Sequence, residues 1–184
     1  MEKRGDTFAA VYDEHVWDVY GFFGYRLNSR EEAEDLAQAT FERALRSWHR
    51  FDPKRASART WLLAIAHNLL IDHFRRNQRR REEALSEDES GDVRLGRGAP
   101  ADANLGLDPD LEQALGTLGD RERELIALRF GGDLTGPEIA ELTGLTLANV
   151  QQILSRSLRR MRGLLEAGED SEQGGVRRPA VQHR

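Results

Sequence analysis

An all-α protein of two small helical units is the fold class the sequence predicts, and three observations carry that reading. Apolar residues recur at three-and-four spacing from Phe8 to about Phe74, stop, and resume from Leu111 to Leu165. No run of alternating β-branched residues appears anywhere, so strands have no pattern to rest on. Between the two periodic stretches, residues 82–108 hold eight acids against only Arg94 and Arg97, with EDESGD and GRGAPADAN among them. Such a composition buries too little apolar surface to offset the entropy of ordering, and it reads as a flexible acidic linker. The predicted organisation is a first unit over 7–81, the linker over 82–108, a second unit over 109–165 and a disordered tail over 166–184.

The elements follow in order. Asp6 can cap a first helix whose apolar positions are Phe8, Val11, Tyr12, Val19, Tyr20, Phe23 and Leu27. Ser29 with Glu32 suits a capping box for a second helix, whose stripe is Ala33, Leu36, Ala37, Phe41, Ala44, Leu45 and Trp48. Its other face carries Asp35, Gln38 and Glu42. Pro53 and small polar residues break the chain in DPKRASAR, after which Thr60 can cap a third helix, apolar nearly all round and therefore buried between the others. That helix ends in Arg75, Arg76, Arg79, Arg80 and Arg81. In the second unit, Asp120 can start a helix stopped at Gly131-Gly132, and Thr135 with Glu138 makes another capping box, with Pro137 in the first turn. Gly144 then supplies a positive φ and Thr146 caps a longer helix. Ala140, Gly144 and Val150 stand at helix-turn-helix spacing: a small residue for close approach, a turn glycine and an apolar plug.

Charge and composition bound the function. With 27 Lys plus Arg against 32 Asp plus Glu, the net charge of −5 excludes a simple polycation for nucleic acid. Split by segment it means something else, because the linker alone carries −6 while residues 1–81 hold 15 bases against 12 acids. The absence of cysteine excludes disulfides, thiolate nucleophiles and Cys-containing zinc sites, and fits a reducing compartment. The N-terminus MEKRGDTFAAVYDEH lacks the apolar core of a signal peptide, and no stretch approaches ~18 uninterrupted apolar residues. A cytoplasmic protein without membrane insertion is expected. His15, His49, His67, His73 and His183 show neither HExxH nor paired metal spacing, and no glycine-rich phosphate loop follows a strand. Neither a catalytic centre, nor a metal site, nor a cofactor is expected.

Taken together, AEDLAQATFERALRSWHRFDP, ARTWLLAIAHNLLIDHFRR, LGDRERELIALRF and EIAELTGLTLANVQQILSRSLRRMR make the sequence resemble the extracytoplasmic-function sigma factors of bacterial RNA polymerase. The first two segments are similar to the family's region 2 and the last two to its region 4, in the same order and with a similar gap. The resemblance implies a three- or four-helix bundle followed by a helix-turn-helix domain. It implies binding to core RNA polymerase, recognition of minus-10 and minus-35 promoter elements, and duplex opening without covalent chemistry. A stand-alone helix-turn-helix regulator is the alternative; it explains residues 120–165 and leaves the first unit without a purpose.

Site residues follow from the same resemblance. Asp35, Gln38 and Glu42, with Leu36 and Phe41 behind them, correspond to the face that docks on the clamp helices of the β′ subunit. The break DPKRASAR corresponds to a loop that captures a base turned out of the minus-10 element, for which Lys54, Arg55, Ser57 and Arg59 offer polar and cationic groups. Asn68 falls near the melted strand, Trp61 continues the apolar face with Ile65 and Leu69, and Arg75, Arg76, Arg79 and Arg80 suit duplex phosphates. The segment around Leu125, Leu128 and Phe130 corresponds to the contact with the flap of the β subunit. On the recognition helix, Thr146, Ala148, Asn149, Gln151, Gln152, Ser155, Arg156 and Arg159 are the candidate minus-35 contacts, with Arg160 a further cation. Many relatives carry a Ser/Thr-Val-Lys-Ser-Arg type run where this chain has Asn149-Val150-Gln151-Gln152-Ile153, so phosphate attraction here has fewer cations to rest on. An anti-sigma factor is the remaining partner the resemblance implies.

Overall fold

The computed structural model describes residues 7–87 and 107–173, and every regular element among them is helical, as the periodicity requires. The first is α1 (Phe8–Arg26), capped by Thr7, whose hydroxyl accepts from the Ala10 amide at 3.4 Å. Asp6, expected in that role, lies outside the described residues. The next helix, α2 (Arg30–Ser47), starts on Ser29, whose Oγ accepts from the Glu32 amide at 3.3 Å. The reciprocal half of the expected box is diverted, because the Glu32 carboxylate approaches His73 Nε2 at 3.7 Å. A short turn, Trp48–Arg50, leads into the loop and then α3 (Ala58–Glu87). Ser57, not Thr60, caps α3: its Oγ accepts from the Thr60 amide at 3.1 Å and lies 2.8 Å from the Thr60 hydroxyl, which also makes a longer-range bond. The helix also runs on through Glu87, so the stretch 82–87 assigned to the linker is helical. The remainder of the predicted linker, 88–106, lies outside the described residues.

The second unit comprises α4 (Pro109–Gly116), α5 (Asp120–Ile126) continued by a π-helical turn over Ala127–Gly131, α6 (Gly136–Thr143) and α7 (Leu147–Gln173). Helix α4 is capped by Asp108, and α5 starts at Gly119, whose amide donates to Glu122 at 2.9 Å. The capping pair Thr135 and Glu138 is present, with Thr135 N–H donating to Glu138 Oε2 at 2.8 Å. Gly144 takes φ +70°, the left-handed turn that only a residue without Cβ enters freely, and Val150 is fully buried in the angle it creates. Helix α7 continues past Leu165 to Gln173, so the first part of the predicted tail is helical; 174–184 lie outside the described residues.

Helices α1, α2 and α3 pack on Val19, Phe22, Phe23, Ala33, Phe41, Leu62, Leu63 and Ala66, all buried. This apolar cluster does not end with the first unit. It continues through Leu125, Leu128, Leu134, Ile139 and Val150, so the two units share one core. A smaller cluster, Ala114, Leu115, Leu118, Ile126 and Met161, ties α4 and α5 to α7. The backbone approaches itself closely across the junction at Gly21 and Gly131: a Cβ on Gly131 would stand 2.5 Å from the Gly21 carbonyl oxygen, and one on Gly21 would stand 2.8 Å from the Gly131 oxygen. Leu45, expected in the buried stripe of α2, is 57% exposed, because the helix offers α1 and α3 a stripe too narrow to include it.

Candidate polymerase and promoter surfaces

On α2, Asp35, Gln38 and Glu42 stand exposed along one face, with Gln38 Nε2 donating to Glu42 Oε1 at 3.1 Å. Leu36 and Phe41 are buried, and Phe41 packs edge-on against Tyr12 and Phe8 at centroid distances of 4.6 and 6.5 Å. Those two residues therefore hold the face rigid instead of forming it. Beside this face runs an apolar groove of about 860 Å³ between α1 and α2, lined by Tyr12, Val16, Trp17, Tyr20, Phe41 and Leu45. Trp17 is 73% exposed at its rim. Sequence reasoning missed Trp17; the available signal was an aromatic residue off the α1 stripe, which packing does not account for.

The loop before α3 is organised by Asp52, whose carboxylate accepts from the Lys54 amide at 2.9 Å and whose carbonyl accepts from the Arg55 amide at 3.0 Å. With Pro53 setting the first φ, this aspartate turn presents Lys54, Arg55 and Ser57 to solvent. Trp61 packs against Trp48 and Phe51 at 5.9 and 5.2 Å. Asn68, Arg75, Arg76, Arg79 and Arg80 are exposed along α3. From Arg59 to Arg80 the cations extend over about 30 Å of helix at 1.5 Å per residue.

Arg59 is placed differently. Its Nε donates to Asp18 Oδ2 at 3.0 Å and its Nη1 to Asp133 Oδ2 at 2.8 Å, so it joins α1, α3 and the turn after α5. Two further bonds cross the same junction: Thr60 Oγ1 donates to Glu138 Oε1 at 2.7 Å, and His67 Nε2 meets Glu124 Oε1 at 2.6 Å. On another side of the junction, Arg123 donates to the Tyr25 carbonyl at 2.7 Å and to Asn28 at 2.9 Å, while Arg26 donates to the Asp120 carbonyl at 3.0 Å. Burial alone would raise the Glu124 carboxyl, but hydrogen bonds from His67 and Arg121 outweigh it and hold the group at about 2.

A depressed carboxylate stabilises the fold above its unfolded value and loses that contribution as pH falls through the folded one. With Arg26, Arg121 and His67 all near Glu124, the junction is expected to weaken between pH 4.5 and about 2. Thermal unfolding followed across that window should show the loss, and Glu124→Gln should flatten it.

On α7, Thr146 Oγ1 accepts from the Asn149 amide at 3.3 Å, fixing the start of the helix. Thr146, Ala148, Asn149, Gln151, Gln152, Ser155, Arg156 and Arg159 are all exposed, while Val150 and Ser157 face inward. Arg160 is drawn toward Glu122 at 3.7 Å. Ile153 is half-buried against the core, so of positions 151 and 153, where that run carries Lys and Arg, only Gln151 faces solvent. In the segment expected to meet the β flap, Leu125 and Leu128 are fully buried and Phe130 is 48% exposed, leaving Phe130 as its accessible apolar group. No group of three or more metal-ligating side chains occurs among the described residues.

Comparison with known proteins places these surfaces in context. Residues 11–80 match Sigma-70 region 2, and residues 114–163 match Sigma-70, region 4. The ECF RNA polymerase sigma factor RpoE of Cereibacter sphaeroides is 32% identical over 161 residues, covering 85% of this chain and 84% of that protein. The ECF RNA polymerase sigma factor SigX of Bacillus subtilis is 30% identical, with 88% and 84% covered. ECF RNA polymerase sigma factor BldN of Streptomyces coelicolor is 31% identical over 88% of this chain, which spans 61% of BldN's length. Among solved structures, the sigma factor RpoE in complex with the anti-sigma factor NepR from Bartonella quintana has a TM-score of 0.63 at 21% identity, covering 86% of this chain and 96% of that one. CnrH in complex with the cytosolic domain of CnrY gives 0.60 at 23%, with 87% and 88% covered. Both structures share the fold with this chain.

Proposed function

This chain belongs to the extracytoplasmic-function sigma factors, and from that premise we propose how its surfaces divide the work of directing RNA polymerase to promoters. As a sigma factor it binds core RNA polymerase, brings it to promoters through minus-10 and minus-35 elements and promotes opening of the duplex. Sigma factors are non-enzymatic initiation factors, and none of the surface residues is assigned a chemical step. The observation that carries the reading is the occurrence of both regions, in order, on one chain whose polar surfaces fall on separate helices.

In this proposal Asp35, Gln38 and Glu42 contact the β′ clamp helices, with Leu36 and Phe41 holding the face in place. Lys54, Arg55, Ser57 and Arg59 capture a minus-10 base, Asn68 lies beside the melted strand, Trp61 supports the loop, and Arg75, Arg76, Arg79 and Arg80 hold duplex phosphates. Thr146, Ala148, Asn149, Gln151, Gln152, Ser155, Arg156 and Arg159 enter the major groove at the minus-35 element, where Asn and Gln read adenine edges and Arg reads guanine or phosphate. Phe130 meets the β flap. The domain assignment 7–81 and 109–165, with the acidic joint threading the polymerase between them, belongs to the same proposal. An anti-sigma factor is a further proposed partner, in keeping with the complexes whose fold this chain shares. No helix among the described residues is long and apolar enough to cross a membrane, and association with polymerase implies a cytoplasmic place of work.

The reading is tested by co-elution with core polymerase and by duplex opening followed with a fluorescent base in the minus-10 element. Opening that requires both the chain and the core enzyme is expected; tight duplex binding by the chain alone, with no effect of core, is what a stand-alone regulator would give. For the recognition helix, a salt titration of the full chain on its minus-35 duplex is expected to steepen by about one unit of log–log slope when Gln151 is replaced by Lys. An unchanged slope would remove position 151 from the phosphate path.

A further inference from the structure

Three side chains at the edge of the surface assigned to the minus-10 strand are each met across the junction by a carboxylate of the second unit. Asp133 takes Arg59, Glu138 takes Thr60 and Glu124 takes His67, from the end of the capture loop into the third turn of α3. From these contacts we propose that the second unit is an intramolecular competitor for the minus-10 strand: its acidic edge stands where strand phosphates would lie, and the chain must part at the Gly21–Gly131 contact before it takes the strand. The proposal rests on the assignment of loop 52–59 and the start of α3 as the minus-10 surface.

Three features of the junction point this way. First, Asp133 holds φ at +51°, the single non-glycine residue with positive φ among those described, and in that conformation both its carboxylate and its carbonyl oxygen reach Arg59, at 2.8 and 3.3 Å. An uncommon backbone angle at a contact residue is stored strain that the partner's bonds must offset. Second, this close approach is made by two glycines whose φ values do not demand glycine, so their missing side chains serve the approach itself. Third, masking is selective. Asp35, Gln38 and Glu42 are exposed, as are Ala148, Asn149, Gln151 and Arg156, so the closed chain still offers its polymerase face and recognition helix. Lys54, Arg55 and Asn68 also remain exposed, but Asp133 and Glu138 sit on Arg59 and Thr60 in the same stretch of chain, and their charge repels an approaching phosphate backbone.

Two variants open the junction by unrelated means. Gly21→Ala inserts a methyl group against the Gly131 carbonyl in a helix where alanine is intrinsically favoured, and Glu124→Gln with Asp133→Asn removes two of the three facing charges of the second unit. Because the chain has no cysteine, Asp13→Cys and Glu141→Cys accept a spin-label pair without competing sites. Both opened forms of the full chain should show a longer label distance, unchanged helical content and about tenfold or more tighter binding of a single-stranded minus-10 oligonucleotide, with minus-35 duplex affinity unaltered. A longer distance with no gain in strand affinity overturns masking, and so does a wild-type distance already equal to that of both variants. Lys54→Ala with Arg55→Ala in the opened background separates the two readings. Lost strand affinity there upholds the minus-10 surface whatever becomes of masking, whereas retained affinity refutes the surface and, with it, the competition.

Discussion

Replacing Asp35 and Gln38 together by arginine is expected to lower affinity for core RNA polymerase by at least about a hundredfold, since like charges brought together at an interface cost several kcal/mol. The helical content should stay as it is. Both side chains are exposed on α2, and neither takes part in the packing of Leu36, Phe41 and Ala44 that holds α2 against α1 and α3. The adjacent groove gives this prediction a control. If the acidic face and the groove rim act together, Trp17→Ala should weaken the same complex by a smaller amount, the cost of removing one exposed aromatic contact. Surface plasmon resonance on immobilised core enzyme, with circular dichroism beside it, checks both; wild-type affinity in the double arginine variant would remove α2 from the polymerase interface.

The second large effect is expected at the minus-10 loop. Exchanging residues 53–56 for those of a relative, while keeping Asp52, Ser57 and Arg59, should change the preferred base within the minus-10 element by about tenfold or more and leave minus-35 preference alone. The retained residues matter because each one shapes the loop or its anchorage. Asp52 folds the turn, Ser57 caps α3 and Arg59 ties α3 to Asp18 and Asp133. Selection from a randomised promoter library with the reconstituted holoenzyme reads both elements at once. Selected minus-10 sequences indistinguishable from those of the parent would contradict base capture by this loop.

Much of this architecture is visible in sequence because it is local. Ser29, the Thr135 and Glu138 pair, Gly144 and Thr146 act within four residues of themselves, and each does what its spacing implies. Val150 is legible for the same reason, since the plug of a helix-turn-helix stands at a fixed offset from its glycine. Helix α3 is an intermediate case. Its apolar surround requires burial on every side, and burial is found, but part of the covering surface is the second unit and not only α1 and α2.

What sequence reading could not supply is contact between residues far apart in the chain. His67 and Glu124 are separated by 57 positions and Arg59 and Asp133 by 74, and no periodicity links them. Gly131 read as a helix stop, which it is, yet a Cβ there would also run into the backbone of Gly21. Exposure failed for a related reason: Leu45 fits the α2 stripe by spacing, but whether a stripe-edge residue is covered depends on how far the neighbouring helix extends. Arg59 shows the consequence for the candidate site. By composition it belongs with Lys54 and Arg55 in a cationic loop, and by geometry it is the one of the three engaged by carboxylates.

Whether this chain directs polymerase to promoters is decided by sequencing the transcripts that core RNA polymerase makes on genomic DNA with and without it. Discrete 5′ ends are expected only when both are present, each preceded at constant spacing by two shared sequence elements. Identical 5′ ends with core enzyme alone, or new ends with no pair of shared elements upstream, would contradict promoter direction by these two helical units.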